Sequence, residues 1–256
     1  MRPAAALAAC ALVAACATAG GPVLAPTPDG YLGDDQIARI ATTLPIPMSD
    51  DRTAPSPVEP GTDRWWLATA HAELRPPEAA QHFDCALGTR LAARPRPALQ
   101  RLMARLLADA DALTREAARA RGHVARPIAA DPALQPCQRV TPDVRDSPSW
   151  PAGGAVVGTL YGEAFAALAP DRAEQARRIG REIGVSRVVC RMNGPQDVWS
   201  GALGGRALFD RIGGSEPFQA DLAAARIEVA AARAEGLSNP SCAAERRALG
   251  PTPGVG

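Results

Sequence analysis

The sequence contains no lysine: all 28 residues of the Lys-plus-Arg class are arginine, so every permanent cation on a side chain is a guanidinium. With 27 acidic residues the formal charge is +1, and the two signs are interspersed. The basic stripe that nucleic acid requires is missing, which excludes nucleic acid as a partner. Histidine is nearly absent, with only His71, His82 and His123. No alternation of apolar and polar residues marks a strand and no internal repeat is present, which leaves an all-α reading. Past the N-terminus no apolar run is long enough to cross a bilayer.

What is present begins with a leader. Met1-Arg2 followed by an apolar stretch over 4–15 has the charged start and short hydrophobic core of a secretory signal, so the protein is expected to be exported. Two cleavage readings compete within residues 1–19. Val13-Ala14-Ala15-Cys16 resembles a bacterial lipoprotein box, with lipidated Cys16 attaching the protein to the outer membrane, and the end of the hydrophobic stretch at Cys16 favours it. Ala17-Thr18-Ala19 offers an ordinary site that would release the chain into the periplasm. Setting aside Cys10 and Cys16 leaves Cys85, Cys137, Cys190 and Cys242, an even number in an oxidising compartment, which favours two disulfides over metal ligation. Three pairings are open; Cys85 with Cys137 and Cys190 with Cys242 is the expected one, since each ties an irregular segment to a helical one.

Residues 20–62 are rich in Pro, Asp, Thr and Gly without a sustained period and read as an extended arm or tether. A helical domain is expected over 63–246, and 247–256 as a flexible tail. Asp63-Arg64-Trp65-Trp66 looks like a capped helix start with both tryptophans as core anchors. A second helix is expected from Pro76 towards Leu91. Leu99, Leu102, Met103, Leu106, Ala110, Leu113 and Ala117 form the apolar stripe of a long helix. Further helices follow: from Val157 to Leu168, stopped by Pro170; from Asp171 to Gly184; from Gly194 towards Gly213; and a last one from Ser215 to Gly236.

Three blocks in order carry a resemblance. Arg119, six residues, then Arg126-Pro127 is the first; Pro151-Ala152-Gly153-Gly154 is the second; Ser186-Arg187, five residues, Asn193, three residues and Asp197 is the third. Their order and spacing resemble the type 2 phosphatidic acid phosphatase superfamily, within it the bacterial class A non-specific acid phosphatases, whose pattern is K-x6-R-P, P-S-G-H and S-R-x5-H-x3-D. Similarity around Phe83 to Gly88 and Phe218 to Ala225 extends it over about 63–235. The resemblance implies an all-α, single helical-bundle domain of the acid phosphatase/vanadium haloperoxidase type. It also implies a phosphate or small phosphoester as ligand, no metal or other cofactor, and a homodimer.

Phosphoryl transfer needs positioned positive charge and backbone donors around the phosphate oxygens. Arg119, Arg126 and Arg187, with the amides of Gly153 and Gly154 at a helix start, are the candidate cradle. The resemblance puts a nucleophilic histidine at Asn193, its orienting carboxylate at Asp197 and an acid histidine at Gly154. A carboxamide cannot form a phosphohistidine and glycine has no proton to give. The residues also have structural readings: Asn193 as a helix cap with Asp197 in the first turn, Gly153-Gly154 as a close-packed helix entry, and the arginines as salt-bridge partners. The expectation is an exported, phosphate-binding pseudophosphatase. The alternatives are an acid phosphatase using an altered route, with His123 or an acidic residue carrying the proton, and a structural lipoprotein with a vestigial site.

Overall fold

The computed structural model describes residues 29–46, 56 and 58–250, and among them every regular element is a helix. The leader with Cys16 lies outside the described residues. In chain order the helices are α1 (Asp34–Thr43), α2 (Asp63–Ala70), α3 (Asp84–Leu87), α4 (Pro97–Arg121), α5 (Pro127–Ala130), α6 (Pro142–Asp146), α7 (Gly153–Leu168), α8 (Ala173–Val189), α9 (Pro195–Ile212), α10 (Glu216–Ala234) and α11 (Cys242–Ala248). The all-α class is as expected.

Helix α7 is the axis. Its sequence, GGAVVGTLYGEAFAAL, is apolar on every face, and a helix hydrophobic all round must be enclosed by others. Helices α8, α9 and α4 enclose it. Small residues set the distance: a Cβ at Gly158 would come 2.5 Å from the Gly180 carbonyl on α8, and one at Gly205 within 2.5 Å of the Val156 carbonyl. Helix α4 starts on Pro97 and turns its Leu99–Leu102–Leu106–Leu113 stripe into the core, all at 1% exposure or less.

Several sequence expectations are corrected. Helix α8 runs through Gly184 to Val189, and a Cβ on Gly184 would come within 3.3 Å of Ala155 of α7 and of Val198 of α9, so the glycine is a packing site and not a stop. The helix expected from Pro76 is a 3₁₀ turn over Glu78–Phe83 followed by the short α3, which Gly88 ends at φ 66°. Thr62, not Asp63, caps α2, accepting from the Trp65 N–H. Only Trp65 enters the core, whereas Trp66 is 57% exposed. Part of the arm over 20–62 is the amphipathic α1, docked on α4 and α9 through Ile37, Ala41 and Leu44. After Gly236 a further helix, α11, covers Cys242–Ala248.

The disulfides are Cys85–Cys242 and Cys137–Cys190, which overturns the expected pairing. The reason is α11, which folds back onto α2 and α3 and brings Cys242 to a Cα separation of 5.4 Å from Cys85. Cys137 is left for Cys190 at the end of α8.

Candidate functional site

Three helix ends converge: the start of α7, the end of α8 and the start of α9. Past Val189 the chain turns through Arg191, which adopts the left-handed conformation at φ 61°, and the amides of Met192 and Asn193 both donate back to the Arg187 carbonyl. That turn carries Asn193 inwards to 3% exposure. Helix α9 then starts at Pro195 with Gly194 as its cap, not Asn193, and Asp197 closes the start by accepting the Gly194 N–H at 2.8 Å. Asp197 is fully buried. Its Oδ2 also takes the Ser149 hydroxyl at 2.6 Å, while its Oδ1 has no partner among the described residues. The Ala152 amide donates to the Asp197 carbonyl at 3.0 Å, which fastens the entrance of α7 to the first turn of α9.

Asn193 is held on both sides of its amide. Its Nδ2 donates to the Ser149 carbonyl at 2.6 Å and its Oδ1 accepts from Arg187 Nε at 3.3 Å. Arg187 Nη1 donates to Gln138 Oε1 at 2.9 Å, and Gln138 is fixed there by its neighbour Cys137 in the disulfide to Cys190. Nη2 of Arg187 donates to nothing among the described residues and is not sealed from the adjoining cleft. The N–H groups of Gly153 and Gly154, the first of α7, likewise meet no acceptor among the described residues, as the opening turn of a helix dictates.

Arg126 lies beside this group but spends its guanidinium on the protein: Nη1 on the Met192 carbonyl at 2.9 Å, Nε on the Val144 carbonyl and Ser147 Oγ, both at 3.1 Å, and Nη2 on Ser147 Oγ at 3.0 Å. Burial lowers the pKa of both arginines. For Arg187 burial, then the charge of Arg126, takes it down to about 10, still a cation at neutral pH. For Arg126 the charge of Asp197 opposes the shift. Neither arginine forms an ion pair with a carboxylate among the described residues, although desolvated charges are ordinarily paired.

Arg187, Gly153, Gly154 and Gln138 open onto a cleft of about 260 Å³, with Val157 and Leu107 as apolar wall and Glu73, Arg75 and Asp111 also lining it. The other expected residues are elsewhere. Arg119 is 76% exposed on α4 and bonded to Glu116 on its own helix, outside the cleft lining, because the end of α4 turns that face to solvent. His123 is exposed, and His71 sits 2.9 Å from Ser186 Oγ and does not line the cleft. Burial, then the charges of His82 and Arg64, hold His71 well below the ordinary imidazole range. His82 Nε2 donates to the Glu73 carbonyl at 2.7 Å. No metal-binding cluster of His, Cys, Asp and Glu occurs among the described residues.

Acid phosphatases are among the known proteins that this chain is similar to. An acid phosphatase of Zymomonas mobilis subsp. mobilis is 28% identical over 191 residues, covering 74% of this chain and 72% of its own. Non-specific acid phosphatases of Salmonella typhimurium and Salmonella typhi are 27% and 26% identical over 171 residues, covering 66% of this chain and 68% of theirs. The chain resembles the bacterial class A non-specific acid phosphatases. No family model matches it. In this acid-phosphatase-like chain, sequence reasoning missed Ser149 and Gln138, the two residues that hold Asn193, Asp197 and Arg187 in place. Ser149 stands two residues before the second block and offered no separate signal. Gln138 was legible only through the correct disulfide pairing. No helix among the described residues is long and apolar enough to cross a membrane.

Proposed function

We propose that the protein binds phosphate or a small phosphoester in the Arg187 cleft and does not hydrolyse it, acting as an exported pseudophosphatase. The observation that carries this reading is the excess of desolvated positive charge. The charge of Arg126 bears on Arg187, Asp197 acts on Arg126, and no ion pair neutralises either arginine among the described residues. A dianion held by Arg187 Nη2 and the Gly153 and Gly154 amides would balance that charge. The chemistry that would follow in a working phosphatase needs an attacking group and a proton donor. At position 193 stands an amide engaged at both ends, at 154 a glycine, and no imidazole lines the cleft.

The cradle in this reading is narrower than the sequence suggests: Arg187 and the α7 start hold the anion, Arg126 supplies charge from behind, and Arg119 contributes nothing direct. The protein domain proposed is 63–246 with α1 as a docked strap, reached by export under the N-terminal signal and, in the lipoprotein reading, tethered through Cys16.

The test is the purified mature protein in two assays. Inorganic phosphate and vanadate are expected to raise its melting temperature, as any ligand selective for the native state must, with no turnover of a generic phosphomonoester between pH 4 and 8. Turnover above background that disappears in Asn193→Ala would overturn the loss of catalysis. No thermal shift at millimolar phosphate would overturn binding and leave the structural-lipoprotein alternative.

A further inference from the structure

The cleft holds charge of both signs. Arg187 and the start of α7 line it, and so do the acidic residues Glu73 and Asp111. Neither carboxylate forms an ion pair among the described residues, although Arg75 shares their rim and Arg115 stands one turn on from Asp111. The Glu73 carboxylate accepts only the backbone N–H of Arg75, at 2.8 Å, and the Asp111 carboxylate accepts no hydrogen bond among the described residues. We propose that the ligand of this cleft is an aminoalkyl phosphate, a phosphoester whose alcohol carries a protonated amine, with the phosphate on Arg187 and the α7 amides and the ammonium between Asp111 and Glu73. This rests on the anion-binding reading above.

Three observations bear on it. A simple phosphate dianion entering the cleft would meet two carboxylates that form no ion pair among the described residues, as well as its arginine, so a plain phosphoester is penalised where a zwitterion is favoured. Asp111 and Glu73 are exposed where they line the cleft and so are open to a cation from solvent, and partial burial pushes the Asp111 carboxyl up from its ordinary range while Arg115 and Arg75 draw it back down. The volume of about 260 Å³ falls below the range of pockets for drug-sized ligands, roughly 300–1,000 Å³, and suits a small headgroup-like molecule. Leu107 and Val157 line the wall that a short alkyl chain would cross.

The experiment is isothermal titration of the mature protein at pH 7 with inorganic phosphate, ethyl phosphate, 2-aminoethyl phosphate and the diester glycerophosphoethanolamine. The expected result is that 2-aminoethyl phosphate binds about fivefold tighter than ethyl phosphate, the size of one or two partly exposed ion pairs. That ratio should fall to about one in the doubly substituted Asp111→Asn, Glu73→Gln protein, whose helical circular dichroism verifies its fold. Equal binding of the diester would support a lipid headgroup as the source, and preference for the monoester a free ester. A ratio near one in the unsubstituted protein, with phosphate still bound, overturns the zwitterion and leaves the anion site standing. Absence of binding by all four compounds overturns both.

Discussion

A Cβ placed on Gly154 would lie 2.5 Å from Cδ of Arg187, 3.0 Å from its Cγ and 3.1 Å from its Nε. The arginine therefore occupies the space into which any side chain at 154 would project. The conflict is with the middle of its side chain, so it cannot be relieved by swinging the guanidinium alone. Gly154→Ala is expected to force Arg187 from its bonds to Asn193 and Gln138 and to destabilise the protein by about 1–3 kcal/mol, the usual range for overpacking. Urea denaturation reads the loss, and the thermal shift with phosphate should shrink in parallel. An unchanged midpoint and an unchanged shift would show that Arg187 has another rotamer of equal energy.

The same relationship bears on restoring catalysis. Gly154→His combined with Asn193→His is expected to leave phosphomonoester hydrolysis at background, because the first substitution displaces the arginine that would hold the substrate. Asn193→His alone would stand four residues before buried Asp197, whose Oδ1 has no partner among the described residues. Hydrolysis by the double variant at a rate that saturates with substrate would refute this.

Asn193→Ala removes a donor to the Ser149 carbonyl and an acceptor from Arg187 in a place closed to water. The expected loss is about 1–3 kcal/mol, the penalty of a buried polar group left unpaired. It should appear as a lowered urea midpoint with an unchanged slope. A loss below about 0.5 kcal/mol would mean that water replaces the amide.

Glu245 on α11 is pushed up to about 7 by burial, then by the charge of Asp84, which itself accepts from the Leu91 N–H and Asn239. A carboxyl whose folded pKa exceeds its unfolded value binds more protons in the native state. Its contribution is therefore full below about pH 4.5 and is lost as the pH rises through 7. Glu245→Gln should raise the melting temperature at pH 8 and change it little at pH 4. A stabilisation larger at pH 4 than at pH 8 would contradict the assignment.

The two disulfides should separate by function. Replacing Cys85 and Cys242 with alanine opens a link spanning 157 residues and is expected to cost about 2–5 kcal/mol without altering phosphate binding. Replacing Cys137 and Cys190 releases Gln138 from Arg187 and should weaken phosphate binding as well. Identical effects of the two replacements on binding would detach Gln138 from the site.

Helix α4 was legible because an amphipathic stripe over 25 residues needs no partner to be recognised. Gly184 misled because a glycine at a helix end and one at a helix crossing look alike in one dimension. Which of the two it serves depends on Ala155 and Val198, remote in sequence. The second and third blocks met in space, since the Ala152 amide donates to the Asp197 carbonyl. Arg119 was drawn in by spacing alone, and a spacing says nothing about which face of α4 the residue occupies. The disulfides failed for a related cause: pairing neighbours along the chain assumes local closure, and α11 returns over a long distance.

The Pro45 carbonyl accepts both the Trp150 indole N–H at 3.1 Å and the Ser200 hydroxyl at 2.8 Å, across sequence separations of 105 and 155 residues. Contacts so distant along the chain close large loops, and the entropy of closing them has to be offset by structure already formed. The strap of α1 is thus placed to dock late, after α7 and α9 have assembled. Leu44→Ala should accelerate unfolding while leaving the refolding rate nearly unchanged, whereas a slowed refolding arm would put the strap in the nucleus. The loop that ends in Ala152 thus gains its support from the earliest described part of the chain only at the close of folding.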